Sequence, residues 1–151
     1  MPPAPPRPAI SPAGLASALR VAVARLARRV RQEGTSAGDD LTASRLAALT
    51  TIEALGPITL GELAAIEQVQ PPSMTRIVAR LEENDLVERQ VDPSDRRIVR
   101  VRVTAVGKRL LVQTRTKRDE FLAQRVARLT EDERELLERA IPLLEKLQED
   151  D

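Results

Sequence analysis

The sequence predicts a mainly α protein with a small β component (α+β), in which a helix-helix-hairpin module at residues 41–104 lies between terminal helices at residues 13–33 and 105–148. Three observations carry that expectation. Two short helical segments within residues 59–83 are parted at Pro71 and Pro72, which cannot continue one helix but suit the first turn of the next. Residues 86–91 and 98–104 are β-rich and enclose a charged loop, Asp-Pro-Ser-Asp-Arg-Arg at 92–97. Helix, turn, helix and hairpin in that order make a winged helix-turn-helix. The third observation is that both terminal segments carry apolar stripes that a module this small cannot cover by itself.

Taken in order, residues 1–12 hold six prolines and read as a disordered or polyproline-like tail ahead of a single domain at residues 13–148. Leu15, Leu19, Ala22, Leu26 and Val30 then recur at spacings of 4, 3, 4 and 4, an amphipathic helix whose other face carries Arg20, Arg25, Arg28, Arg29 and Arg31 with no acidic residue. Such a helix fits a membrane surface or a partner helix, and the absence of aromatic anchors favours the partner. Residues 34–38 end it between two glycines. A further helix runs from Thr42 to Leu55, with Leu46, Leu49, Ile52 and Leu55 on its apolar side, and stops at Gly56-Pro57. Arg45 near its start suits a phosphate contact or an ordinary surface position. Thr59 with Glu62 three residues on forms a capping box that starts a helix at Leu60.

In the helix that begins at Pro71, Met74, Ile77, Val78 and Leu81 share one stripe and predict a core face. Arg76 points nearly opposite, flanked by Ser73, Thr75, Ala79 and Arg80. Guanidinium forks pair in a bidentate way with guanine, hydroxyls reach phosphates or base edges, and a small residue permits close approach, so this face suits a major groove. In isolation an ordinary solvated helix face would look the same. The hairpin favours the groove. Val99, Val101 and Val103 alternate with Arg100, Arg102 and Thr104, which predicts one buried and one basic face, and Arg96 and Arg97 fall at or just past the loop tip. An arginine carried on a hairpin beside a groove-reading helix can enter the minor groove, and Asp95 fits there if it pairs with an arginine and fixes its direction. The alternative is a hairpin whose charges serve solubility.

Residues 70–108, QPPSMTRIVARLEENDLVERQVDPSDRRIVRVRVTAVGK, resemble the MarR family of transcriptional regulators. The Pro72-Ser73 start of the second helix, its Leu81 to Leu86 end, the Asp92 to Arg97 wing and the Val103 to Gly107 entry to a long helix all match that family's pattern, and the wing is the most specific part. The resemblance extends over residues 14–148. It implies dimers formed through the N- and C-terminal helices, and a small, often aromatic or phenolic, ligand in a cleft between those helices and the winged module.

Past the wing, Thr104 caps a long helix over residues 105–129 whose middle, 113–120, is strongly polar; apolar positions return at Phe121, Leu122 and Val126, so its two ends are expected to pack on different bodies. Thr130 and Glu133 form a second capping box, and the last helix carries Leu136, Leu137, Ala140, Ile141, Leu144 and Leu147 on one face, with Pro142 expected to bend or interrupt it. The two terminal stripes are satisfied by packing together in a two-fold homodimer or by folding back into a monomeric bundle.

Absences exclude chemistry. With no Cys and no His, thiolate nucleophiles, disulfides, Ser-His triads and the usual transition-metal sites are ruled out, and there is no Gly-rich phosphate loop, so neither an enzyme nor a cofactor or metal is expected. No apolar run is long enough for a bilayer and no signal-peptide core is present, which predicts a cytoplasmic protein. The net charge is only +1, yet residues 70–109 hold nine Arg or Lys against six acids while residues 130–151 hold three against nine. The sequence thus predicts a homodimer binding a pseudo-palindromic double-stranded DNA operator: Arg76 for base readout, Ser73, Thr75 and Arg80 for phosphate or secondary base contacts, and Arg96 and Arg97, steered by Asp95, for the minor groove. A winged-helix module that binds a protein partner is the alternative.

Overall fold

The computed structural model describes residues 10–34 and 41–148; of the tail expected at residues 1–12, residues 1–9 lie outside them, as does most of the 34–38 break, while Pro12 opens the first helix, where a proline suits the first turn. The winged module is assembled around α2 (Ala43–Leu55), α3 (Leu60–Ile66) and α4 (Pro71–Glu83). Thr42 caps α2 through the Arg45 amide, and the capping box at Thr59 and Glu62 is complete, with the Glu62 amide donating to Thr59 Oγ1 at 3.2 Å and the Thr59 amide to Glu62 Oε2 at 2.9 Å. Pro71 and Pro72 occupy the first two positions of α4, where their missing amides would have no helical partner. Leu49 and Ile52 of α2, Leu63 of α3 and Met74, Val78 and Leu81 of α4 are wholly buried and meet in one core. Leu55, expected beside them, is exposed, because it sits in the last turn of α2 beyond the reach of α4.

The sheet has three antiparallel strands in the order β1 (Ile58–Thr59), β3 (Val99–Val103), β2 (Val87–Val91). Two residues are too few to show a strand period, so β1 has no signature in the sequence; it pairs Ile58 with Val101 and closes the sheet onto the start of α3. Only the base of the hairpin reaches the core. Val87 and Val101 are buried, whereas Val91 and Val99, one residue pair from the loop, are exposed, so the expected buried valine face covers half of the ribbon.

Two helices of the module end on a left-handed residue that is not glycine. Gln68 (φ 53°) ends α3, with the Val69 amide donating back to Ala64 O at 2.9 Å. Asp85 (φ 56°) ends α4, where the Leu86 amide donates to Leu81 O and the Asp85 amide to Glu82 O, both at 2.9 Å, a Schellman motif. The Leu86 carbonyl then accepts the Thr104 amide at 3.0 Å and lies against Gly107 in the first turn of α5 (Ala105–Val126). A side chain at position 107 would overlap the Leu86 carbonyl oxygen and stand 2.7 Å from a Val103 methyl.

α1 (Pro12–Gly34) packs along α5, and Phe121 is buried beneath a guanidinium stack, with Arg125 at 3.2 Å from the ring centre and Arg29 at 5.8 Å. The helix runs far enough to include an acid after all, Glu33, which pairs with Arg29 at 3.2 Å. α6 (Glu131–Lys146) follows the Thr130 capping box and runs unbroken through Pro142, which removes one amide from the ladder without ending it. None of its residues is buried, and Leu136, Leu137, Ile141, Leu144 and Leu147 face outward together with Leu15, Val23 and Leu26 of α1.

Gly107→Ala is expected to lower stability by about 2–3 kcal/mol, since the clash is with backbone and neither helix can yield without breaking the core. Asp85→Gly should act the other way, relieving the left-handed strain for a gain of about 0.5–1 kcal/mol, or roughly 1–4 °C in Tm. Thermal unfolding followed by circular dichroism measures both; an unchanged Tm for Gly107→Ala would show that the α4 to α5 junction is looser than its geometry.

Candidate nucleic-acid interface

α4 presents Ser73, Thr75, Arg76 and Arg80 to solvent, because its apolar stripe of Met74, Val78 and Leu81 is turned fully inward. Their availability differs. Arg76 has no side-chain partner among the described residues. Thr75 donates its hydroxyl to Pro71 O at 2.9 Å, which leaves it an acceptor, and Arg80 donates to Glu83 Oε2 at 2.7 Å. Arg76, Ala79 and Arg80 form one wall of a groove whose other wall is the start of α2, at Thr42, Ser44 and Arg45. Arg45 therefore shares a surface with the candidate reading face, which its position in the sequence does not reveal.

The wing loop is shaped by Asp92. Its Oδ1 accepts the Ser94 amide at 2.9 Å, the Ser94 hydroxyl at 2.5 Å and the Asp95 amide at 3.3 Å, while its Oδ2 accepts Arg100 Nε at 2.8 Å. The Arg100 hydrogen bond first, and the Ser94 hydroxyl and amide after it, hold this carboxyl well below the usual range, and Asp92 in turn raises Arg100. The loop closes with Ile98 donating to Asp95 O and Asp92 donating to Ile98 O, each at 2.9 Å. Asp95 Oδ1 accepts the Arg97 amide at 3.0 Å and stands 3.7 Å from Arg97 Nε, so the acid does face the arginine, while the Arg97 side chain remains 94% exposed. Arg96 is exposed and has no partner among the described residues.

The strands carry less free charge than the sequence suggests. Arg102 pairs with Glu88 directly across the ladder, Arg89 with Glu82 of α4 at 3.0 Å, and Arg100 with Asp92 and, at 3.7 Å, with Glu62. The expected basic sheet face is thus largely neutralised, and open cations remain at Arg76 on α4 and, at the wing tip, at Arg96 and the 94% exposed Arg97. Sequence reasoning missed Asp92, Arg100 and Glu62 as a connected set. The Asp-Pro-Ser turn signal was present, but its partner lies across the hairpin, eight residues on, where no local pattern points to it.

A second concavity of about 650 Å³ lies between α1, α2 and α5, lined in part by Arg28, Arg31, Leu41, Leu46, Glu67 and Arg118. Glu67 ends α3 and accepts the Thr51 hydroxyl, and Arg118 Nε is buried with no hydrogen-bond partner among the described residues. No group of His, Cys, Asp or Glu among the described residues could hold a metal ion, and no described helix is long and apolar enough to cross a membrane.

A helix-turn-helix whose second helix exposes arginine, joined to a hairpin with arginines at its tip, defines a winged-helix transcriptional regulator. Residues 41–99 match the model of the MarR family. An HTH-type transcriptional regulator of Mycobacterium bovis is 43% identical over 134 residues, 89% of this chain and 92% of that one. The crystal structure of a putative transcriptional regulator from Pseudomonas aeruginosa superposes with a TM-score of 0.79 at 36% identity, covering 91% of this chain and 96% of the other. A MepR mutant from S. aureus bound to an oligodeoxyribonucleotide shares the fold at a TM-score of 0.70 and 23% identity, over 89% of this chain and 98% of that one. The chain belongs to the MarR family. It is a transcriptional regulator and not an enzyme.

The Arg80–Glu83 pair yields a direct check. Glu83→Gln leaves Arg80 without its acid and removes a negative charge from the groove, so affinity for duplex DNA should rise about three- to tenfold at about 0.1 M salt. A fluorescence anisotropy titration reads this, and an unchanged affinity would remove Arg80 from the interface.

Proposed function

We propose that the protein is a homodimeric, sequence-specific regulator, a repressor in its simplest form, that binds double-stranded DNA in the cytoplasm. Each protomer places α4 in one of two successive major grooves of a pseudo-palindromic operator. Arg76 reads base edges, Ser73, Thr75 and Arg80 contact phosphates or secondary base edges, and Arg96 and Arg97 enter the minor groove with Asp95 setting the direction of Arg97. The carrying observation is the selective pairing of charge: Arg89, Arg100 and Arg102 are matched by acids, while Arg76 and Arg96 have no acid partner among the described residues and Arg97, facing Asp95, keeps its side chain 94% exposed. That the structurally similar MepR mutant is bound to an oligodeoxyribonucleotide supports the same reading.

Uncovered apolar surface supports the dimer. Residues 13–33 and 105–148 supply the dimerisation region, in which the outward leucines of α6 and α1 meet their copies; residues 41–104 form the winged module of a single domain spanning 13–148. The cavity between α1, α2 and α5 is the place for a small aromatic or phenolic effector. Among the described residues of its lining, Arg118 keeps a buried Nε with no hydrogen-bond partner and Arg28 stands nearby, which favours a ligand with an acceptor oxygen or a negative charge, such as a phenolate or aromatic carboxylate. Its occupancy would alter the spacing of the two reading heads and release the operator.

Selection of genomic fragments by the purified protein tests the proposal. It should enrich a two-fold symmetric site with half-sites one helical turn apart. On that site Arg76→Ala is expected to cost about 1–3 kcal/mol and to relax sequence preference, while Arg97→Ala should weaken binding to every sequence and lower the salt slope by about one. Equal affinities for wild type and both variants would overturn the residue assignments, and failure to enrich any site would leave a protein partner as the module's ligand.

A further inference from the structure

Arg100 lies on the central strand, paired in register with Gln90 of β2 and Thr59 of β1. Its guanidinium spans two elements. Nε donates to Asp92 Oδ2 at 2.8 Å, at the root of the wing loop, and an Nη stands 3.7 Å from Glu62 Oε2, the carboxylate that caps α3. The Asp92 side chain is only 12% exposed, and its second oxygen is filled by Ser94 and Asp95, so the loop that ends in Arg96 and Arg97 is folded onto the same carboxylate that Arg100 grips. Outside this link the far half of the hairpin has little to hold it. Val91 and Val99 are exposed, nothing of the core lies beneath them, and a two-stranded ribbon by itself is marginal in water.

We infer that Arg100 is a positioning residue for DNA binding: it locks the wing loop to the first helix of the helix-turn-helix, so that Arg96 and Arg97 reach the duplex at a fixed angle to α4. It acts without touching DNA, since its charge is committed to Asp92 on one side and Glu62 on the other. The link also makes the wing loop and the cap of α3 parts of one network, so that Glu62 serves both the helix and the wing. This inference rests on the DNA-binding reading above.

The test measures affinity for the selected operator at two salt concentrations in two backgrounds, wild type and Arg96→Ala/Arg97→Ala. In wild type, Arg100→Gln should weaken operator binding about tenfold and reduce the salt slope toward that of the wing-arginine variant, with Tm lowered by no more than a few degrees. In the background without wing arginines the same substitution should change affinity less than about twofold, because nothing remains to be positioned. Glu62→Gln, which keeps a side chain able to cap α3 but removes the charge facing Arg100, should show a smaller loss with the same dependence on background. Should Arg100→Gln fail to fold, Glu62→Gln carries the comparison. An equal loss in both backgrounds would mean that Arg100 contacts DNA itself or acts only through stability, and no loss in wild type would mean that the loop is held without it; either overturns the inference while leaving DNA binding intact. If wild type selects no DNA, the functional proposal falls and the positioning role with it.

Discussion

The carbonyl of Leu86 is the point on which the arrangement of the molecule depends. It belongs to the first residue after the left-handed turn that ends α4, and it is held by the Thr104 amide and covered by the backbone of Gly107. Three elements converge there: the C-terminus of the exposed arginine helix, the entry to the hairpin and the N-terminus of the long α5. Thr104 adds a second clasp by donating its hydroxyl to Asp85 O while accepting the Gly107 amide. Because the approach is backbone to backbone, it leaves no flexible side chain to absorb displacement. The end of α4, the start of the hairpin and the first turn of α5 are therefore joined there with little slack between them.

Electrostatics divides the same surface into used and unused charge. Ion pairs between exposed groups contribute little to stability, so the value of pairing Arg89, Arg100 and Arg102 with acids lies in orientation and in silencing cations along the strands. A DNA-facing surface that was positive everywhere would bind every duplex alike through phosphates. Confining open guanidinium groups to one helix position and a loop tip leaves discrimination to a few contacts. Net charge is a poor guide to this partition, since it counts paired and unpaired arginines equally.

Much of the fold was legible because its signals are local. Capping boxes at Thr59 and Thr130, the Pro71-Pro72 helix start and the stripe of Met74, Val78 and Leu81 each act within a few residues, and the structure contains all of them. The surface positions of Ser73, Thr75, Arg76 and Arg80 follow from the same periodicity, and those of Arg96 and Arg97 from the turn formers that precede them in the loop. What escaped the sequence is non-local. The two-residue β1 exists only because β3 offers it a ladder, Val99 is exposed because the ribbon outruns the core, and the Arg100 link joins residues 62, 92 and 100 through space. A cleft between the terminal helices and the winged module was expected only from the family resemblance, and the lining residues of the one between α1, α2 and α5 have no local signal, since Arg28 and Arg118 come from helices far apart in the chain.

α6 has a capping box and a continuous ladder but buries nothing against its own chain. In the homodimer proposed above, the helical state of α6 would draw on the copy that covers its leucines, and by mass action dilution would loosen this arm before the core around Leu49 and Ile52.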